Sequence, residues 1–434
     1  MSTRPSRVVR PLLPWRGVAP PRPRDYYRRT TCRNCKLRKL TEFLNFGSMP
    51  LANAYRPEGE STIAEPLYPL SVAYCSACGL VQVPDVVSPR RLFGAYHYFT
   101  SASAPMIDHF RRVAADICGR YLNEPDDLLC EVGSNDGVFL QHLVGRCRVL
   151  GVDPASNIVG LAAKKGVPTV GRFFNVHTAR AIRTMFGRAK VIFSANCLAH
   201  IDDLDDVLEG VTDLLAPDGV LIFENHRFAN MLRMSCFDQI YHEHLTYYTL
   251  RPLEVLLARF GLRVIDVQVI PTHGESFQIH AAHSDAPYPV EARVALTRQD
   301  EDALHFDDVE TYRQFAQNVV EFRQNLRHLL HELRSRGGRL VGYGAPAKAS
   351  TLLNYCDIGH EVLHYVVDST PIKQGRYVPG TSIPIRPPST LAENPPDYVL
   401  LLAWNYAEAI LRQEQALRSH GMRFILPFPT PHVV

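Results

Sequence analysis

Leu128-Leu129-Cys130-Glu131-Val132-Gly133-Ser134-Asn135-Asp136-Gly137 is the stretch on which the fold turns. An apolar strand runs into a glycine-rich turn, and Phe139, Leu140 and Leu143 beyond it predict an amphipathic helix. Glycine lets the backbone approach a ligand closely, and a helix start offers free amides. The next strand, Arg148-Val149-Leu150-Gly151-Val152-Asp153, ends in an acid about twenty positions on, where a carboxylate can hold both ribose hydroxyls. The spacing departs from G-x-G-x-x-G, because Asn135 stands where the second glycine would and Glu131 precedes the turn.

Working toward the C-terminus, the alternation continues. The strand Val191-Ile192-Phe193-Ser194-Ala195-Asn196 leads past His200 to a helix from Leu204, and Gly219-Val220-Leu221-Ile222-Phe223-Glu224 is the next strand. This is a doubly wound α/β pattern, in which ligands sit outside the carboxyl ends of the strands. Asn196, His200, Glu224 and Asn225 are thereby placed near a cofactor. The E-x-G-x-x-x-G turn resembles an S-adenosylmethionine loop, with a nucleotide or dinucleotide site as the alternative reading. The cofactor-binding candidates are Glu131, Gly133, Asn135, Asp136, Gly137, Asp153 and Asn196.

Between residues 307 and 336, Tyr312, Phe315, Val319, Phe322, Leu326, Leu330 and Leu333 recur every three or four positions, which predicts one long amphipathic helix joining two domains. Arg339-Leu340-Val341-Gly342-Tyr343-Gly344-Ala345-Pro346-Ala347-Lys348 then repeats the strand, glycine turn and helix start, now with a lysine suited to an anion. Ala349 after Lys348 breaks the P-loop ending, which argues against nucleotide hydrolysis. Val362 to Asp368 again ends in an acid, as a degenerate Rossmann repeat would. A diphosphate site at Gly344 to Lys348 with Lys373 and Arg376 is one expectation, and a purely structural repeat is the other.

Toward the N-terminus, Cys32-x-x-Cys35 and Cys75-x-x-Cys78 are two knuckles that can complete a tetrahedral four-cysteine zinc site, against two unrelated pairs or a redox pair. Four sulfur ligands leave no open position, so such a zinc is structural. Cys118, Cys130, Cys147, Cys197, Cys236 and Cys356 lie scattered in apolar segments and read as core residues in a reducing, cytoplasmic setting. Before the knuckles, Arg4, Arg7, Arg10, Arg16, Arg22, Arg24, Arg28 and Arg29 sit among prolines, without the apolar run of a signal peptide. This head reads as a disordered extension, with a nucleic-acid-binding arm as the alternative. The net charge of +3 over 434 residues leaves the folded body near neutral, and no apolar run is long enough to cross a bilayer.

The densest cluster of titratable groups is Tyr241-His242-Glu243-His244, after Phe237-Asp238-Gln239-Ile240. Thr246 stands where a zincin would need its second histidine, so proton transfer is the better reading, with a hydrogen-bonded loop as the alternative. These residues, the two CxxC pairs, the turn at Glu131 to Gly137, Asn196 with His200, and Tyr96-His97-Tyr98-Phe99-Thr100-Ser101-Ala102-Ser103 together resemble the bacterial sugar C-methyltransferases. Members of that family act on thymidine-diphosphate-linked 4-keto deoxysugars in natural-product biosynthesis. The resemblance covers nearly everything after Cys32. It implies S-adenosylmethionine and structural zinc, His244 as general base, and Tyr96, His200, Tyr241 and Glu243 around the sugar. The expected substrate-binding set is Tyr98, Ser101, Ser103, His273, Lys348, Lys373 and Arg376. Glu275 and Gln278 depart from the family's H-G-G and following arginine.

The expected organisation is α/β: a disordered head (1–30), a small four-cysteine zinc domain (31–90), a doubly wound Rossmann-like methyltransferase domain (91–300), a linker helix (301–336) and a second Rossmann-like domain (337–434). The expected partner is a small sugar nucleotide, with no membrane or nucleic acid and a monomer as the default. Two other classes stay open: a zinc-ribbon methyltransferase acting on RNA or protein, and a silent scaffold that keeps the fold. The body's lack of a basic stripe with exposed aromatics argues against the first, and the intact Tyr241 to His244 cluster against the second.

Overall fold

Val191, Ile192 and Phe193 are fully buried, as an unbroken β-branched and aromatic run requires when helices cover both faces of a sheet. That run lies in the strand Ala189–Ala195, at the centre of a seven-stranded sheet in the computed structural model, which describes residues 25–59, 65–93 and 100–434. Tyr96, Tyr98 and residues 1–24 of the expected disordered head lie outside the described residues, whereas the end of that head is ordered, Tyr26–Arg28 forming a strand paired with Asp85–Val87. In spatial order the strands are Leu262–Ile270, Ser276–His283, Leu215–His226, Ala189–Ala195, Leu128–Val132, Arg148–Val152 and Thr169–Val170. The last five are parallel and the first two antiparallel to their neighbours. The strand order reverses between Leu128–Val132 and Ala189–Ala195, so their carboxyl ends open the crevice where such sheets bind ligands.

One expected element is absent. After Gly137 the chain makes turns and a single 3₁₀ turn, Leu140–His142, instead of an amphipathic helix. Gly137 and Gly145 both adopt positive φ (74° and 81°), leaving too few residues between them for a stable α-helix. Phe139, Leu140 and Leu143 are nevertheless fully buried, so the apolar spacing reported burial correctly and helicity wrongly.

Of the four cysteines, Cys75 ends a strand of a four-stranded antiparallel sheet ordered Thr246–Tyr247, Val81–Gln82, Leu67–Cys75, Leu40–Pro50, and the other three lie in turns beside it. The sheet's first strand comes from the middle of the chain, directly after His244. A third sheet is ordered Ile385–Arg386, Val366–Val367, Leu340–Tyr343, Tyr398–Leu401, Arg423–Leu426, His432–Val433, parallel except at its last strand.

The helix Val309–Ser335 starts on Asp308, whose side chain accepts from the amide of Glu310. Its buried residues are Tyr312, Phe315, Val319, Phe322, Leu326, Leu330 and Leu333. They do not tether two bodies across solvent. They pack in one core with Phe46 and Val72 of the four-cysteine sheet, Phe228 and Phe237, and Leu352 and Ile383 near the C-terminus. Burying each large apolar side chain contributes about 1.5–3 kcal/mol, so this shared core holds the four-cysteine sheet and the C-terminal sheet together with the segment that follows the strand Leu215–His226. Among the described residues no helix is long and apolar enough to cross a membrane.

Candidate functional site

Both cysteine knuckles close the same way. Lys36 donates its amide to the Cys32 carbonyl and Gly79 to that of Cys75, with Lys36 and Gly79 at φ of 64° and 77°. The four Sγ atoms lie within 4.8 Å of one another, with Cys32 to Cys78 at 3.6 Å and Cys35 to Cys75 at 3.5 Å. A tetrahedron of thiolates at about 2.3 Å from zinc has sulfur edges of about 3.8 Å, whereas a disulfide needs about 2.0 Å. The cage therefore fits Zn²⁺ bound by thiolates and does not fit two disulfides. All donors being sulfur, a bound metal has no place for substrate.

A cavity of about 620 Å³ opens at the reversal point of the large sheet. At one end its wall is Gly133, Asn135, Asp153 and Asn196. Asp153 accepts the amide of Asn135 (3.0 Å) through one oxygen and that of Ala155 (2.9 Å) through the other, which fixes the turn. Gly133 has φ of 74°, and a Cβ there would fall 2.8 Å from the Cβ and Sγ of Cys197, so only glycine fits. The buried Oδ1 of Asn196 has no protein partner. A close-approach glycine, a fixed carboxylate and an orphaned acceptor form a cradle that fits the polar adenosyl group of S-adenosylmethionine. Three other candidates stand behind this wall. Glu131 is buried between strands, where burial first and then Asp153, Asp136 and Glu224 push its acid well above the usual range. Asp136 pairs with Lys165 at 3.0 Å and accepts from the Ser101 hydroxyl. Gly137 packs under Val167 and Ala162. Its missing Cβ serves packing rather than ligand approach.

The middle of the cavity is walled by four histidines: His200, His226, His244 and His273. The ring centroids of His244 lie 5.1 Å from His200 and 4.8 Å from His226, which is 5.5 Å from His273. His244 Nδ1 is 2.8 Å from the Gln239 carbonyl, which can only accept, so Nδ1 carries the proton and Nε2 the lone pair. The Tyr241 hydroxyl, 2.8 Å from Nε2, donates to it. Burial holds all four imidazoles below the ordinary range, to about 4 for His200 and His273 and well below it for His226 and His244, where neighbouring histidines add to it. They are neutral at physiological pH. Glu243 is buried but does not orient His244, whose two nitrogens face Gln239 and Tyr241; it accepts a 2.7 Å hydrogen bond from Asn53 of the four-cysteine region.

The far end is formed by the third sheet's domain, through Pro346, Ala347, Lys348, Lys373, Asn405 and Tyr406. Lys348 Nζ sits 3.8 Å over the Trp404 ring, donates to Asn405 Oδ1 at 2.8 Å and lies 3.9 Å from Asp238, and burial lowers its pKa to about 8. Lys373 Nζ donates to the Ala345 carbonyl at 2.8 Å. Of the expected substrate residues, His273, Lys348 and Lys373 reach the cavity. Arg376 does not; it pairs with the strand Arg56–Pro57 and donates to the Tyr55 carbonyl. Ser101 and Ser103 stay out of the wall, Ser101 on Asp136 and Ser103 at the start of the helix Ala104–Tyr121. The two departures have internal duties: Glu275 accepts from Arg227, and Gln278 donates to buried Glu224, which His109 also grips. Sequence reasoning missed His226, Asn53 and Gln239. His226 was findable, because it ends the strand Leu215–His226 at the carboxyl edge where ligands sit.

Three family models match in series. They are a zinc binding domain over residues 32–93, a methyltransferase domain over 106–267 and a C-methyltransferase C-terminal domain over 271–429. The chain is 38% identical over 405 residues to the C-methyltransferase NovU of Streptomyces niveus, covering 93% of this chain and 96% of that one. Among solved structures, a magnesium protoporphyrin IX methyltransferase from Synechocystis with bound SAH matches at 16% identity and a TM-score of 0.33, over 45% of this chain and 91% of its own. An S-adenosylmethionine-dependent methyltransferase from Anabaena variabilis matches at 17% and 0.32, over 40% and 84%.

Proposed function

The chain belongs to the S-adenosylmethionine-dependent C-methyltransferase family, and we propose that its acceptor is a thymidine-diphosphate-linked 4-keto deoxysugar, methylated at a carbon beside the ketone for natural-product biosynthesis. The observation that carries this reading is the neutral His244 imidazole, its Nε2 lone pair held by the Tyr241 hydroxyl in the wall of a cavity with a nucleoside-type cradle at one end and buried lysines at the other. Carbon becomes a nucleophile once a proton beside a carbonyl is removed, and an imidazole that is neutral at pH 7 can take that proton. S-adenosylmethionine, when bound at the Gly133 to Asn196 end, supplies an electrophilic methyl group. His244 Nε2 receives the proton after the Tyr241 hydroxyl swings from it to the developing enolate oxygen, where His200 and Tyr96 are the further donors. Lys348 and Lys373 face the diphosphate, and His273 stands between them and the sugar. Glu243, through Asn53, holds the cavity wall. The zinc is structural, and the protein acts in the cytoplasm.

The test is mass spectrometry and NMR of thymidine-diphosphate 4-keto-6-deoxysugars, with and without a 3-amino group, incubated with S-adenosylmethionine. One carbon-bound methyl gained by wild type, with His244→Ala slowed by about 10²–10⁴-fold and its cofactor affinity unchanged, is the expected result. Cofactor binding without transfer to any of these acceptors would overturn the substrate assignment.

A further inference from the structure

The cysteine knuckle Cys32-Arg33-Asn34-Cys35 lies behind the wall of the cavity and touches a lining residue, Asp202, through Arg33. Arg33 is fully buried, although it stands between two metal-type ligands on a small domain. Its Nε donates to Asp202 Oδ1 at 2.9 Å, and Asp202 follows His200 by two residues and itself lines the cavity. Arg29 and the Tyr27 hydroxyl hold the same carboxylate. A second link starts from the same knuckle. Gln82 donates from Nε2 to Cys32 Sγ at 3.2 Å, while its Oε1 accepts from the amide of Arg33 at 3.1 Å and from its Nη1 at 3.3 Å. The backbone of Gln82 pairs with Thr246, two residues after His244. Between them, Leu245 is gripped from both sides, its amide donating to the Ala199 carbonyl at 2.7 Å and its carbonyl accepting from Val83 at 3.0 Å.

We propose that Arg33 is a positioning residue, coupling the four-cysteine metal site to the placement of His200 through Asp202 and of His244 through Gln82. The bonds form one continuous path from thiolate to imidazole loops, and a misplacement of about 1 Å at a base costs up to about a hundredfold in rate. A four-cysteine domain that merely stabilised the fold would have no reason to bury a guanidinium on an active-site loop, given what a buried charge costs unless fully paired.

Hydrogen exchange read by mass spectrometry on the zinc-loaded full chain tests this without any substrate. Arg33→Ala is expected to keep one zinc per chain and wild-type S-adenosylmethionine affinity, yet to raise exchange about tenfold in segments 198–203 and 241–248 and not in 128–137. Arg33→Lys, which restores a cation facing Asp202, is expected to recover most of the protection. In the kinetic arm, kcat falls about tenfold or more while the KM for the sugar nucleotide moves less. That arm rests on the proposed activity and the exchange arm does not, so the two can fail separately. If Arg33→Ala does not fold, Asp202→Asn, which removes the charge that Arg33 pairs with, carries the same readout. Wild-type protection of both segments in a zinc-loaded variant lacking the Arg33 to Asp202 pair overturns the coupling.

Discussion

Two glycine turns in this chain are built to one plan, and only one is left open. The turn after Leu128–Val132 has Gly133 at φ 74°, and the turn after Leu340–Tyr343 has Gly344 at φ 87°. In each, the acid ending the neighbouring strand closes the turn. Asp153 accepts from Asn135 at 3.0 Å and Ala155 at 2.9 Å, and Asp368 from Ala345 at 2.7 Å and Thr370 at 2.8 Å. The difference lies in the side chains. Asn196 beside the first turn keeps an unpartnered acceptor facing a cavity, whereas at the second the Ala345 carbonyl is taken by Tyr55 at 2.7 Å and Lys373 at 2.8 Å. The same backbone thus serves once as a cradle and once as a wall, which is why fold alone assigns no ligand.

Valine at each glycine is the sharpest way to break this comparison. A Cβ at Gly133 meets Cys197 at 2.8 Å and one at Gly344 meets Ala403 at 2.6 Å, both at positive φ, so the steric insults are alike. Each costs about 1–3 kcal/mol in strain and as much again in overpacking. Gly133→Val is expected to weaken S-adenosylmethionine binding about a hundredfold or more by calorimetry, and Gly344→Val to lower the melting temperature while leaving that affinity in place. Equal losses of affinity would mean the second turn also serves the cofactor.

How legible this was follows from range. The strands, both acids and the long helix could be read because each is a local pattern of apolar spacing or of distance from a glycine turn. The helix after Gly137 was misread, since apolar spacing reports burial and two positive-φ glycines decide the backbone. Arg376 was misplaced for a different reason: its strand pairs with Arg56–Pro57, some three hundred residues away, and no local signal carries such a contact. Lys373 was seen as an anion ligand, but its contact with the Ala345 carbonyl was invisible for the same reason.

The two lysines test the second turn directly. Lys348 reaches the cavity from a cage of Trp404, Asn405 and Asp238, while Lys373 also bridges Ala345. Lys348→Met is expected to weaken sugar-nucleotide binding about tenfold, the worth of a charge-assisted hydrogen bond, with cofactor affinity unchanged. Lys373→Met should cost stability as well, because the Ala345 carbonyl loses one of its partners. A Lys348 variant with wild-type sugar-nucleotide affinity would leave the second domain as packing alone.

The smallest effect separates the two halves by pH. The histidines of the first domain are held low by burial, to about 4 for His200 and His273, while burial lowers Lys348 from 10.5 to about 8. Activity therefore needs the imidazoles neutral and the ammonium charged. In kcat/KM, which reports the free enzyme, the acid limb is expected near pH 4, where His200 and His273 gain protons, and the alkaline limb near pH 8 as Lys348 loses its proton. Stability has its own sign. Below about 6.5 the unfolded chain binds protons at histidines that the folded chain leaves neutral, so the melting temperature falls as the pH drops from 6.5 toward 4. Between 8 and 10.5 the unfolded chain again binds more protons, at Lys348, so stability rises with pH and the penalty of its burial is relieved progressively across that window. Lys348→Met should abolish the alkaline limb and move the acid limb only slightly upward, because burial is the main cause of the low His226 and His273 and the Lys348 charge adds to it. If instead the acid limb were lost with the alkaline one, the histidine wall and the lysine end would titrate as one site, and the division between an open first turn and a walled second would not extend to their electrostatics.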